Sequence, residues 1–191
     1  PEDYIRDADL EFFERELASF VPDRVFDAHA HIWDSEHGEQ VVWTDGFPSD
    51  MSLDLYRQFV DFLHPSRSVS ALFLSLPWNK ERRHKTNEWI ARNIAQDSTC
   101  RGHFFVEPED DPDWVQQEVR RPGLHGLTCY FTYASSTWEA DIPAYLPERL
   151  VKVAVHEGWT ITLSLVKARC MADPSNHPCL RLSCQARKSV L

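Results

Sequence analysis

The chain has 191 residues, 42% of them hydrophobic, with seven Trp and eleven Phe; that is enough apolar material for one domain with a real core. Its net charge of −10 argues against a nucleic-acid partner, whose phosphates need a basic surface. No apolar run approaches the roughly 18 residues of a membrane span, and Pro1-Glu2-Asp3-Tyr4 has neither the basic nor the apolar part of a signal peptide.

In chain order, Leu10, Phe13, Leu17 and Phe20 recur at helical spacing, which predicts an amphipathic helix over 7–20. Pro22 and Asp23 break it. The next stretch, Val25-Phe26-Asp27-Ala28-His29-Ala30-His31-Ile32-Trp33, has the apolar, β-branched character of a short buried strand. Alternation puts Asp27, His29 and His31 on one face and Phe26, Ala28, Ala30 and Ile32 on the other. Two histidines one residue apart have Cα atoms about 6.6 Å apart, so both imidazoles can lean onto one ion. Imidazole nitrogen binds zinc at about 2.0–2.1 Å, and a catalytic zinc site uses three protein ligands plus water. His29 and His31 are the candidate metal ligands, and the expected cofactor is a divalent metal, zinc by preference.

Residues 34–51 form a long polar loop carrying Gly38, Gly46 and Pro48, a length typical of functional lids. Ser52 predicts an N-cap for a helix bearing Leu53, Tyr56, Phe59, Val60 and Leu63, ended by Pro65. A second strand spans 69–76, stopped by Pro77, and a polar helix covers about 80–96. The third strand runs His103-Phe104-Phe105-Val106 into Glu107-Pro108. Asp111-Pro112-Asp113 opens another helix with Pro in its first turn, closed by Pro122-Gly123. A fourth strand covers 124–131. Pro147-Glu148 begins a helix to Glu157, with Gly158 as its natural C-terminal residue, and the fifth strand is 160–166.

Strand–helix alternation with near-continuously apolar strands predicts βαβ units and a parallel sheet. No Gly-x-Gly-x-x-Gly or P-loop pattern follows the first strand, which weakens a nucleotide-binding sheet. Candidate ligands at the carboxyl end of a strand are where a barrel keeps its active site. The expected fold class is therefore α/β, a partial TIM-type (β/α)8 barrel of about five βα units preceded by a helix. Residues 1–177 are expected to form this barrel portion and 178–191 an atypical tail. Residues 1–166 hold 29 acids and 15 bases, whereas 167–191 hold one acid and five bases. That break, with no period continuing a barrel beyond Cys179, leads to the expectation of a chain truncated after its fifth strand. The first residue is Pro1 rather than Met, so the sequence is open upstream. Five cysteines, at 100, 129, 170, 179 and 184, are odd in number and lack Cys-x-x-Cys spacing, which fits a reduced, cytoplasmic protein.

Phe26-Asp27-Ala28-His29-Ala30-His31, Gly123-Leu124-His125-Gly126-Leu127, Tyr145-Leu146-Pro147-Glu148 through Thr160-Ile161-Thr162-Leu163, and Asp173-Pro174-Ser175-Asn176 together resemble the amidohydrolase-related family of metal-dependent barrel enzymes. That family includes hydrolases and the aminocarboxymuconate-semialdehyde-type decarboxylases. The resemblance covers about residues 22–177, and its most specific element is the His-x-His strand. It implies one divalent ion, usually zinc, held by His29 and His31, by a histidine ending strand five and by an aspartate ending strand eight, with a further histidine from strand six. Ser164 stands where the family places the strand-five histidine, and Thr128 where relatives often carry lysine; strands six to eight have no counterpart. The implied function is a metal-dependent hydrolase acting on a small organic substrate. A non-oxidative decarboxylase and a catalytically inactive truncated fragment are the alternatives, and no catalytic or substrate-binding residue is assigned. Open sheet edges would favour self-association.

Among other candidates, Glu107 closes strand three and is placed to orient a ligand, although Glu-Pro is also a common strand stop. Trp33 and Trp78 follow strands one and two as candidate pocket walls, with the core as the alternative. Asp27 is a candidate carboxylate behind the histidines. His37 lies in the long loop, His64 at a helix end and His84 on a polar helix face; His103, His125, His156 and His177 are expected to be structural.

Overall fold

The computed structural model describes residues 6–36, 48–76, 82–121, 123–134, 137–165, 172–178 and 180–181. The expected N-terminal helix begins as α1 (Asp7–Phe12) and then widens into a π-helical turn over Phe13–Leu17. The wider winding breaks the pattern that Leu10, Phe13, Leu17 and Phe20 suggested. Phe13 alone of the four is buried, edge-on to His64 at the end of α2 (Leu53–Leu63) with ring centroids 5.8 Å apart, while Phe20 is exposed. Arg67 fastens the segment by donating to the carbonyls of Ala18 and Val21.

Strands β1 (Arg24–His31), β2 (Ser68–Leu74) and β3 (Arg101–Gly102) pair in parallel in that order, and β4 (Phe104–Phe105), β5 (Gly126–Cys129) and β6 (Thr160–Leu163) do the same. The predicted third strand is thus two short pieces on either side of His103. The backbone stays tied across the break, His103 N–H donating to Phe73 and His125 N–H to Gly102. The architecture is mixed α/β with parallel pairing throughout these strands, as the alternation implied.

Helices α3 (Arg83–Ile94), α4 (Pro112–Arg120), α5 (Ile142–Tyr145) and α6 (Glu148–Glu157) follow β2, β4 and β5. Their ends obey local chemistry. Ser52 accepts a hydrogen bond from Leu55 N–H at 3.2 Å as the cap of α2, Asp111 accepts from Asp113 and Trp114 N–H at the start of α4, and Gly158 ends α6 at φ +68°. Buried amides lock the helices in place. Asn93 Oδ1 accepts from Leu53 N–H, and the Asn87 amide both donates to and accepts from the backbone of Phe105. The core between helices and strands is built from Ile32, Leu53, Phe73, Ile90, Leu127 and Leu150, all at most 1% exposed.

The loop after β1 is stapled at both ends. Trp33 and Met51 exchange backbone hydrogen bonds, and Ser35 donates to Asp50 from its N–H and its hydroxyl. Gly38 and Gly46 lie outside the described residues. Pro174–Asn176 forms a 3-10 turn capped by Asp173, and the buried Asn176 Oδ1 accepts from Ile142 N–H, docking it on α5. Of the expected tail, only residues 178, 180 and 181 are described. Among the described residues, no helix is long and apolar enough to cross a membrane.

Candidate metal centre

Strand β1 does not alternate regularly. Asp27 is matched with Ala71 on β2 and Ala30 with Phe73, so three steps on β1 face two on β2. One extra residue is a β-bulge, and it inverts which face the following side chains take. Before it, Asp27 points to the helical layer, where its Oδ2 accepts from the Tyr56 hydroxyl of α2 at 2.9 Å. After it, Ala30 is the buried residue on that side, and His29 and His31 emerge together on the opposite face. The expectation that Asp27 shares the face of the histidines is thereby corrected. Its other oxygen, Oδ1, accepts from the His29 N–H at 3.0 Å, so it holds the backbone of that residue rather than its ring.

The two Nε2 atoms lie 3.1 Å apart, with ring centroids at 4.9 Å. His31 Nδ1 lies 3.2 Å from the Leu74 carbonyl, which can only accept, so Nδ1 carries the hydrogen and the neutral ring presents its lone pair at Nε2. Burial, and next the neighbouring His29, hold His31 below its ordinary pKa of 6.5, against the opposing effect of the Leu74 and Ser75 backbone.

Both histidines line a cavity of about 230 Å³ with Leu74, Leu76, Thr128, Tyr130, Thr162 and Ser164. These residues come from the carboxyl ends of β1, β2, β5 and β6 and the positions just after them. Thr162 and Ser164 share this face, as alternation from Thr160 predicted, and Thr128 stands beside Thr162 from the neighbouring β5. Tyr130 donates from its hydroxyl to the Ser75 carbonyl, reaching past the intervening strand from β5 to β2, and takes a hydrogen bond from Thr128. Burial raises its pKa. Nothing in the sequence pattern singled out Tyr130; an aromatic directly after an apolar strand reads equally well as core.

His103 lies beneath this wall, fully buried, with Nε2 at 2.7 Å from Thr160 Oγ1 and Nδ1 at 3.1 Å from Thr162 Oγ1. Burial brings its pKa down to about 4. Glu107 does not line the cavity. It lies against Arg83, with Nε 3.6 Å from its Oε1, in a buried group that Asp110 completes by pairing with Arg83 and accepting the Glu107 N–H. Trp33 is core, 7% exposed. His64 packs on Phe13 and exposed His84 on Trp114; exposed His156 sits beside Glu157 at 2.8 Å. His84 also borders a crevice of about 270 Å³ between α3 and α4, on the outer layer away from the strand ends. His125 borders another at the opposite ends of the strands. His177 follows the Pro174–Asn176 turn. His37 and Trp78 lie outside the described residues.

The donor pair suits a divalent ion. Two imidazole nitrogens sharing a tetrahedral zinc at about 2.0–2.1 Å stand about 3.3–3.4 Å apart, close to the observed 3.1 Å, and the Leu74 carbonyl supplies the orienting contact that ligand histidines commonly have. Among the described residues no group of three or more His, Cys, Asp or Glu side chains converges. Ser164, in the same cavity, is a poor zinc donor.

No protein-family model and no curated protein matches the chain. Among solved structures it is similar to a probable 2-pyrone-4,6-dicarboxylic acid hydrolase from Acinetobacter baumannii, which holds citric acid. The TM-score is 0.51 at 11% identity, over 82% of this chain and 65% of that one. It is also similar to a 5-carboxyvanillate decarboxylase from Novosphingobium aromaticivorans, which holds manganese and 3-methoxy-4-hydroxy-5-nitrobenzoic acid. There the TM-score is 0.48 at 15% identity, over 83% of this chain and 55% of that one. The chain spans less than two thirds of either neighbour's length. At 11% identity the first likeness is one of fold, consistent with part of a barrel.

Proposed function

We propose that this chain carries the metal-binding strand of an amidohydrolase-related barrel enzyme, a metal-dependent hydrolase acting on a small organic substrate. The observation that carries this reading is the convergence of His29 and His31 Nε2 at 3.1 Å over a cavity at the carboxyl ends of the strands. Imidazole donors suit zinc as they suit copper, iron and nickel, and zinc is the ion proposed. The ion would supply Lewis acidity towards a carbonyl and acidify a water.

The chain's own residues set the rest of the site. The Leu74 carbonyl fixes the His31 tautomer, Leu74 and Leu76 exclude water from one wall, and Thr128, Thr162, Ser164 and Tyr130 give the other wall its hydroxyls. A cavity of about 230 Å³ suits a substrate of one ring, lactone-like or a small carboxylate. A decarboxylase of the same family fits the same ligands. A second reading, a fragment without activity, is favoured by one observation: no third ligand accompanies the pair among the described residues.

Zinc and manganese per chain, measured by mass spectrometry after removal of loose ions, test the proposal beside His29→Ala/His31→Ala. About one ion per chain, lost in the double variant, is expected. Metal no higher than in the variant would overturn the metal site and leave the inactive fragment as the reading.

A further inference from the structure

We infer that Asp27 and Tyr56 are positioning residues for His29, acting through the β1 bulge. The inference rests on the reading of His29 and His31 as metal ligands. In a regular strand, side chains two residues apart take the same face, so His29 and His31 would follow Asp27 into the helical layer. They face the cavity because β1 gains one residue between Asp27 and Ala30 relative to β2.

Something must hold that extra residue, since a bulge leaves a backbone group without its ladder partner. The Asp27 carboxylate does so. Oδ1 accepts the His29 N–H at 3.0 Å, and Oδ2 is held by the Tyr56 hydroxyl at 2.9 Å. Tyr56 is fixed in turn, 9% exposed and edge-on to the Phe73 ring at 4.9 Å, and Phe73 is the β2 residue matched with Ala30 where the register resumes. The chain of contacts therefore starts and ends at the two sides of the bulge. Burial and the Asp27 carboxylate both raise the Tyr56 pKa, which keeps the phenol a donor across the working range.

The test separates alignment of the rings from stability and from metal binding. In metal-free protein, the nuclear Overhauser effect between the His29 and His31 ring protons reports their convergence; zinc affinity is then read by competition with a chromophoric chelator. Asp27→Ala is expected to lose the ring–ring signal and to bind zinc about 10–100-fold more weakly, the range found when groups that orient ligands are removed. Asp27→Asn is expected to stay within a few-fold of the parent, because its amide oxygen still accepts from His29 N–H and its NH₂ donates to the phenol oxygen. Asp27→Ala that folds, keeps the ring–ring signal and binds zinc like the parent would overturn the inference. If Asp27→Ala does not fold, Tyr56→Phe decides instead: weakened zinc binding and a weakened ring–ring signal support the role, and no change in either overturns it. A parent protein that shows the ring–ring signal but binds no zinc would refute the metal reading while leaving the positioning intact.

Discussion

Gly126 leaves room for the imidazole of His103: a Cβ at position 126 would stand 2.5 Å from His103 Nε2 and closer still to the Thr160 carbonyl. The ring lies across β5 at this glycine and reaches the two threonines of β6. Adding one methyl group therefore meets both a fully buried ring and a strand backbone, neither of which can swing aside. Gly126→Ala is expected to destabilise the fold by at least the upper end of the overpacking range, about 3 kcal/mol, measured as a fall in the urea midpoint. An unchanged midpoint would mean that β5 and β6 can separate locally at no cost.

His103 also makes the fold sensitive to acid. Its folded pKa is about 4 against 6.5 for the exposed side chain, so the unfolded chain takes up a proton first as pH falls. Stability that is fully present above pH 6.5 is lost progressively down to about pH 4, by roughly 3 kcal/mol from this group. The slope of unfolding free energy against pH should flatten in that window in His103→Gln, provided the variant folds. A parent and variant with the same slope would assign the acid sensitivity to other groups.

Ser164 shares the cavity of the histidine pair. Ser164→His is expected to add a third imidazole and to tighten zinc binding by at least about tenfold, measured by chelator competition, since three protein ligands make a stable open zinc site. Unchanged affinity would show that position 164 does not reach the ion.

Among the described residues β1 pairs with β2 alone, and Phe26 stands 52% exposed on its surface. An open edge beside an exposed aromatic promotes pairing with another chain, so we propose that the protein self-associates. Sedimentation velocity should show concentration-dependent association that Phe26→Lys reduces. A monomer over the whole accessible concentration range would rule this out.

Much of this architecture was legible in the sequence because hydrophobic period and end signals act locally. Ser52, Asp111–Pro112 and Gly158 mark helix ends that the structure keeps, and the alternation from Thr160 correctly turned Thr162 and Ser164 to the cavity. The misreadings share a cause. Asp27, His29 and His31 look regular in sequence, and only the pairing of β1 with β2 reveals an extra residue between them. Phe20 carries the right spacing for burial, but the π-helical turn beginning at Phe13 breaks the α-helical pattern on which that spacing relied. Glu107 sits at a strand end as a ligand would, yet Arg83, distant in sequence, claims it. Tyr130 carried no signal, because its role depends on a carbonyl 55 residues earlier.

That last bond spans one side of the cavity. The Tyr130 phenol ties β5 to the end of β2, fastened to the Ser75 carbonyl between the cavity-lining Leu74 and Leu76. Any drift that moved β5 away from β2 at this point would first have to break that bond.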